Sequence, residues 1–346
     1  MRIKQILILT LLILLLVACG QGADESTTLT VMTHDSFQIS EEVVAIFEQE
    51  HNIEVQFLQS GDAGTMLNQA ILSRDAPLAD VLYGVDNTFL SRALAEDIFL
   101  AYESPRLEVI PDEFELDDQH RALPIDYGDV CLNYEIAYFE DAGIDPPLDL
   151  ESLTQPQYES LLVVQNPATS SPGLAFLLAT IGHFGSDGYL DYWANLRTND
   201  VLVVNDWETA YYGEFSHSGG TRPLVVSYGS SPPAEVYFAE VELFEPPTGV
   251  VTANTSCFRQ IEFAGILQGT TNERLAQAWI DFMLSVEFQE DMPLNMFVFP
   301  VITEASLPPV FSLHMVIPDQ TAQVSLRDIA DNRDAWIDAW TLTVLR

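Results

Sequence analysis

Apolar residues in this chain fall into short blocks separated by polar turns, and the blocks alternate between strand-like and helix-like spacing. Leu29 to Thr33 reads as a first strand. Ser40 to Glu50 reads as a helix, because Val43, Val44 and Phe47 share one face and Ser40 stands where a cap is needed. Ile53 to Leu58 is a second strand, Thr65 to Ser73 a helix, Asp80 to Tyr83 a third strand and Thr88 to Ala95 another helix. That alternation predicts an α/β layered lobe. A second series follows: strands at Val130 to Tyr134 and Leu161 to Val164, a helix opening at Pro172, strand Val201 to Val204, a helix from Trp207, and strand Leu224 to Tyr228. Two α/β units are therefore expected. A strand near Cys257 to Phe263, a helix from Asn272 to Leu284 and a last helix from Ser325 to about Thr343 complete the pattern.

The N-terminus has a different character. Arg2 and Lys4 precede an apolar run from Ile6 to Val17, interrupted only by Thr10, and Ala18 leads into Cys19. This is the build of an export signal, and the run is short for a membrane span. The Leu16-Val17-Ala18-Cys19 ending resembles a bacterial lipoprotein signal, which implies cleavage after residue 18 and lipid on Cys19. Residues 19–28, small and polar, are expected to form a flexible tether. The mature protein is then expected to be exported and lipid-anchored, on the outer face of the cell membrane or in the periplasm.

Composition narrows the functional classes. The formal net charge is -39, and Lys4 is the only lysine, which argues against nucleic-acid partners; a solvated surface is the plain account of the acidity, and attraction of a cationic solute is compatible with it. Beyond Cys19 only Cys131 and Cys257 remain, each in an apolar strand-like stretch, and two separate buried thiols are expected. Catalytic signatures are missing: there is no Gly-x-Ser-x-Gly, His-Glu-x-x-His, Gly-x-x-x-x-Gly-Lys-Ser/Thr or Gly-x-Gly-x-x-Gly. The six histidines show no pair at metal-ligand spacing, so neither a metal nor a cofactor is expected.

Polar and aromatic groups gather where the strands end. Thr33-His34-Asp35-Ser36-Phe37 follows the first strand, and Gly84-Val85-Asp86-Asn87 follows the third. In open α/β sheets ligands bind outside the carboxyl ends of strands. Pro124-Ile125-Asp126-Tyr127-Gly128 lies where the chain passes into the second unit. Asn166 to Leu174 runs from strand to helix through Ser170 and Ser171; its free N–H groups suit an anion, and plain capping is the simpler alternative. Asp206-Trp207-Glu208 opens a helix, Tyr228 to Ser231 follows a strand, and Phe297-Val298-Phe299-Pro300 comes late.

Taken together the segments LTVMTHDSF (29–37), DVLYGVDN (80–87), PIDYG (124–128), QNPATSSPGL (165–174), DWETAY (206–211), LVVSYGSSP (224–232), 276–288 and FVFP (297–300) resemble the thiamine-binding proteins of bacterial ABC importers, within the two-lobed periplasmic solute-binding proteins. The segments occur in family order and span nearly the whole body. The resemblance implies a type II periplasmic-binding-protein fold with the ligand in the cleft between lobes. It also implies a monomeric, non-enzymatic receptor that hands thiamine or its phosphates to a membrane permease. The lobes are expected at 29–124 with about 236–305, and at 125–235 with about 306–346. The resemblance assigns ligand-facing roles to His34, Asp35, Ser36, Asp86, Asn87, Asp126, Tyr127, Ser170, Ser171, Trp207, Tyr228, Ser231 and Phe297. Trp207 and Tyr228 match its aromatic faces, and the two serines its phosphate end. It departs at three places: His34 stands for a tyrosine, Phe297 for a tryptophan, and Ala234 for an aromatic, with Tyr237 nearby as a stand-in.

The rival readings are a ferric-iron or polyamine receptor of the same fold and a secreted hydrolase. Iron needs phenolates, for which Tyr211-Tyr212 is the adjacent pair, although helix packing accounts for it more simply. A hydrolase would draw first on Ser170 or Ser227.

Overall fold

The structure is a computed structural model that describes residues 27–346; the signal segment, Cys19 and most of the tether lie outside the described residues. Eleven strands form one sheet: β1 (Thr27–Thr33), β2 (Ile53–Gln59), β3 (Val81–Asp86), β4 (Phe99–Leu100), β5 (Leu123–Glu135), β6 (Leu162–Gln165), β7 (Leu202–Val204), β8 (Leu224–Tyr228), β9 (Thr248–Val251), β10 (Phe258–Leu267) and β11 (Phe299–Pro300). β1 begins at Thr27, so the last residues assigned to the tether are already paired with β2.

The strand order β2-β1-β3-β10-β5-β8-β6-β7 explains the two units. β1, β2 and β3 are parallel neighbours on one side, β6, β7 and β8 on the other, and antiparallel β10 and β5 join them. Parallel strands require crossover helices, and the alternation in the sequence supplies them. Ser40 caps the Glu41–His51 helix by accepting from the Val43 N–H at 3.3 Å, as the pattern predicts. Among the described residues no helix is long and apolar enough to cross a membrane.

Three features of the joining strands were not anticipated. Pro124 to Gly128 is extended. It lies inside the 13-residue β5, which runs on through Val130 to Glu135 to pair with β8 and β9. β10 changes register beside Glu262, against β5 between Glu262 and Phe263 and against β3 between Phe263 and Ala264. The expectation of two separate thiols is also corrected. Antiparallel pairing of Phe258 with Val130 brings Cys257 opposite Cys131, their Cα atoms 4.4 Å apart, and the two form a disulfide. An exported chain meets the oxidising surroundings in which such a bond persists.

A single large apolar core runs through the molecule, and helix Leu326–Val344 closes it by setting Trp340 edge-on to Trp193 at 5.4 Å. A second, smaller cluster of Val163, Trp207, Ala210, Tyr211, Phe215 and Val225 stands apart. It positions the site.

Candidate functional site

The small cluster builds an aromatic wall. Asp206-Trp207 opens a short turn that continues as a π-helix over Thr209–Glu214, a wider winding that recurs at functional sites. Trp207 and Tyr211 stack with centroids 4.9 Å apart and planes at 17°, while Tyr212 meets the indole edge-on at 5.4 Å and Tyr228 stands 6.5 Å away. The indole N–H donates to Ser227 Oγ at 3.1 Å, and Ser227 and Ser231 hydroxyls lie 3.0 Å apart. Packed against the same cluster, Phe297 ends the Val286–Met296 helix in the left-handed region (φ 58°), with its carbonyl held by the Ser230 hydroxyl and Phe238 edge-on to its ring at 5.7 Å.

An acidic wall faces it. Direct pairing places Asp86 of β3, Glu262 of β10 and Asp126 of β5 side by side on one face of three adjacent strands. Tyr83 OH lies 2.6 Å from Asp126 Oδ2 and 3.1 Å from Glu262 Oε2, and His34 Nε2 lies 3.7 Å from Glu262 Oε1. Burial, then the Glu262 charge, push the Asp126 carboxyl well above its ordinary range, and burial raises Asp86 to about 7. Burial works against the charge on Glu262 too, but His34, Asp126 and Tyr83 outweigh it and hold its pKa down. The pair therefore keeps the proton on Asp126 and the charge on Glu262. Burial alone would lower the His34 pKa; Glu262, with Asp62 and Asp35, more than offsets it and raises it above its ordinary value.

His34 fits because residue 84 has no side chain. Gly84 has φ +102°, and a Cβ there would lie 2.4 Å from His34 Cδ2. Gly84→Ala is expected to displace the imidazole and destabilise the fold by about 1 to 3 kcal/mol, seen as a lower denaturant midpoint. An unchanged midpoint would show that the ring has room to move.

Between the walls lies a cavity of ≈ 600 Å³, within the range of small-molecule sites. Four carboxyl side chains (Asp62, Glu208, Glu235, Glu262) and two imidazoles (His34, His217) line it, and among the described residues no arginine or lysine does. Asp62 ties the two sides together. Its carboxylate caps the Ala63–Leu72 helix at the Ala63 N–H and accepts the backbone N–H of Trp207 at 3.2 Å, while Gly64 N–H donates to Thr169 O at 3.0 Å. Glu235 sits under the aromatic wall, accepting from the Tyr211 and Thr248 hydroxyls, with burial raising it to about 7. An anionic, aromatic-lined pocket of this kind selects a flat cation.

Comparison with known proteins agrees with this geometry. The family described as bacterial extracellular solute-binding protein matches residues 76–323. The chain belongs to that family. Its relatives include a thiamine-binding periplasmic protein of Brucella suis, 28% identical over 98% of both chains. Another, the thiamine-binding periplasmic protein of Salmonella typhimurium, is 29% identical over 96% of this chain and 98% of its own. A solved periplasmic thiamin binding protein superposes with TM-score 0.82 and 25% identity, covering 94% of this chain and 99% of its own. The fold is the type II periplasmic-binding-protein fold.

In this solute-binding protein the sequence-derived residues divide into two groups. His34, Ser36, Ser171, Trp207, Tyr228 and Phe297 line the cavity. Seven do not. Asp35 points outward and accepts the Gly61 N–H at 2.7 Å. Asp86 and Asp126 lie behind Glu262, Asp86 accepting from the Thr88 hydroxyl at 2.7 Å. Asn87 binds backbone of Arg259 and Ile261 and so fastens β3 to β10. Tyr127 is sandwiched between Phe114 and Phe299 with Arg259 5.0 Å from its ring. Ser170 is buried and its side chain caps nothing, whereas Ser231 is buried against Ser227.

Other assignments shift as well. Tyr237 is half exposed, and Phe238 rather than Tyr237 lines the cavity near Ala234. Tyr211 and Tyr212, read from the sequence as helix packing, both line it. Asp62, Glu235 and Glu262 were missed. Asp62 ends the loop after β2, where the strand-end rule would have found it, and Glu262 is a charge inside an apolar strand.

Proposed function

We propose that this solute-binding protein captures thiamine and delivers it to the permease of an ABC importer, acting as a receptor and not as an enzyme. The observation that carries the reading is the pairing of the Trp207 aromatic wall with the Glu262 carboxylate across one cavity. A thiazolium ring is flat, aromatic and permanently positive; an aromatic face and a buried carboxylate are the two groups that recognise such a ring. The relatives described above are thiamine-binding proteins, which supports the same ligand. Thiamine phosphates belong to the same proposal, with Ser171 at the start of the Ser171–Thr198 helix as the group nearest a phosphate end. A monomer tethered through lipid on Cys19 completes it.

The proposal divides the sheet into two lobes. One carries β1, β2 and β3, the other β6, β7 and β8, with β5 and β10 crossing between them; β9 goes with the second lobe because it pairs with Leu132–Glu135. The hydrolase reading has little to build on, since Ser227 bonds to Trp207 and Ser231 and no base is among its partners in the described residues. Calorimetric titration with thiamine and its phosphates tests the proposal: saturable binding at micromolar concentration or below is expected, and no heat at millimolar ligand with any of them removes thiamine as the solute.

A further inference from the structure

One buried group in the cavity stands where the ligand's charge would go and becomes positive on protonation. His34 is 8% exposed, lines the cavity, and points Nε2 at Glu262 Oε1 across 3.7 Å without making a hydrogen bond. The glycine at 84 holds the ring in that place. The groups around the imidazole are all acidic or neutral. Glu262 faces it from β10, Asp62 from the loop after β2 and Glu208 from the turn at Trp207, while Asp35, pointing outward from the loop that carries His34, adds only its charge. Tyr83 of β3 lies 5.9 Å away, and Asp126 and Asp86 flank Glu262 from behind. The other imidazole of the cavity is His217, beside the aromatic wall.

We infer that His34 is a charge-exchange residue: a cationic ligand entering before Glu262 takes the place of the imidazolium charge, and the proton on His34 leaves to solvent as the ligand binds. The inference rests on the proposed cationic ligand. Its physical basis is simple. Glu262 compensates one positive charge, and two cations in the same desolvated cavity repel each other. Imidazole, unlike arginine or lysine, can yield its charge near neutral pH. His34 then determines specificity by charge: an uncharged analogue of the same shape leaves the proton in place and gains nothing from the exchange. The sign follows, because a ligand that competes with a proton binds more weakly as pH falls. Since the His34 pKa lies above its ordinary 6.5, the loss begins above that pH.

The test is calorimetric titration of the whole protein with thiamine in two buffers of different ionisation enthalpy, phosphate and Tris, over about pH 6 to 8. In the wild type the observed heat is expected to depend on the buffer with the sign of proton release, and affinity to rise by up to tenfold per pH unit until His34 is neutral. In His34→Gln, whatever its affinity, the number of protons released is expected to fall below half of the wild-type value. Saturable binding with no buffer dependence, or with proton uptake, overturns the inference while leaving the thiamine reading intact. Release that stays above half in His34→Gln also overturns it by moving the proton elsewhere. Absence of binding in the wild type is the separate failure of the ligand reading, on which the inference depends, and sinks both.

Discussion

Trp207→Ala is expected to weaken thiamine binding by at least tenfold, and by about thirtyfold if the full cation–π contribution of about 2 kcal/mol for a desolvated ring is lost. The wall behind the indole is rigid. Tyr211 stacks on it at 17°, Tyr212 and Tyr228 box its edges, and Ser227 holds its N–H. A face held this firmly loses little side-chain entropy on binding. Truncation leaves Ser227 bonded to Ser231, so no buried hydroxyl is stranded, although the lost indole also leaves a gap in the buried cluster. Trp207→Phe, which keeps a smaller face, is expected to lie between wild type and alanine. The measurement is the dissociation constant by calorimetry, with a melting curve to show that each variant is folded. Equal affinity in wild type and Trp207→Ala would remove this residue from the ligand contact.

The second large effect concerns stability. Replacing both Cys131 and Cys257 by alanine is expected to cost about 2 to 5 kcal/mol, because the disulfide closes a loop of 126 residues in the unfolded chain. The sulfurs lie where β5 and β10 pair, with both cysteines fully buried, so packing is lost as well. Wild-type protein unfolded in the presence of a reductant is expected to show the same lowered denaturant midpoint as the double variant. Coincident midpoints for oxidised wild type and the double variant would show that the bond adds nothing to stability.

What the sequence made legible was local. Strand and helix spacing, the Ser40 cap and the two-unit alternation depend on neighbours a few residues apart, and the structure has them. What it hid was lateral. Pro124, Asp126 and Gly128 look like a loop because proline and glycine weaken strands, yet they sit in a crossing strand whose partners come from residues 258–264. The same distant register makes the Cys131–Cys257 bond and lines up Asp86, Glu262 and Asp126, three residues that no spacing rule connects. The site divides in the same way. Aromatic positions at strand ends were readable, whereas Glu262 was passed over as part of an apolar run, although a charge in such a run is itself a signal.

The irregular register of β10 beside Glu262 has a mechanical consequence. A strand that has already broken step with both neighbours bends there at smaller cost than along an unbroken ladder. Any bending of one side of the sheet against the other would therefore meet its softest crease beside Glu262, at the floor of the cavity, rather than along the regularly paired strands on either side.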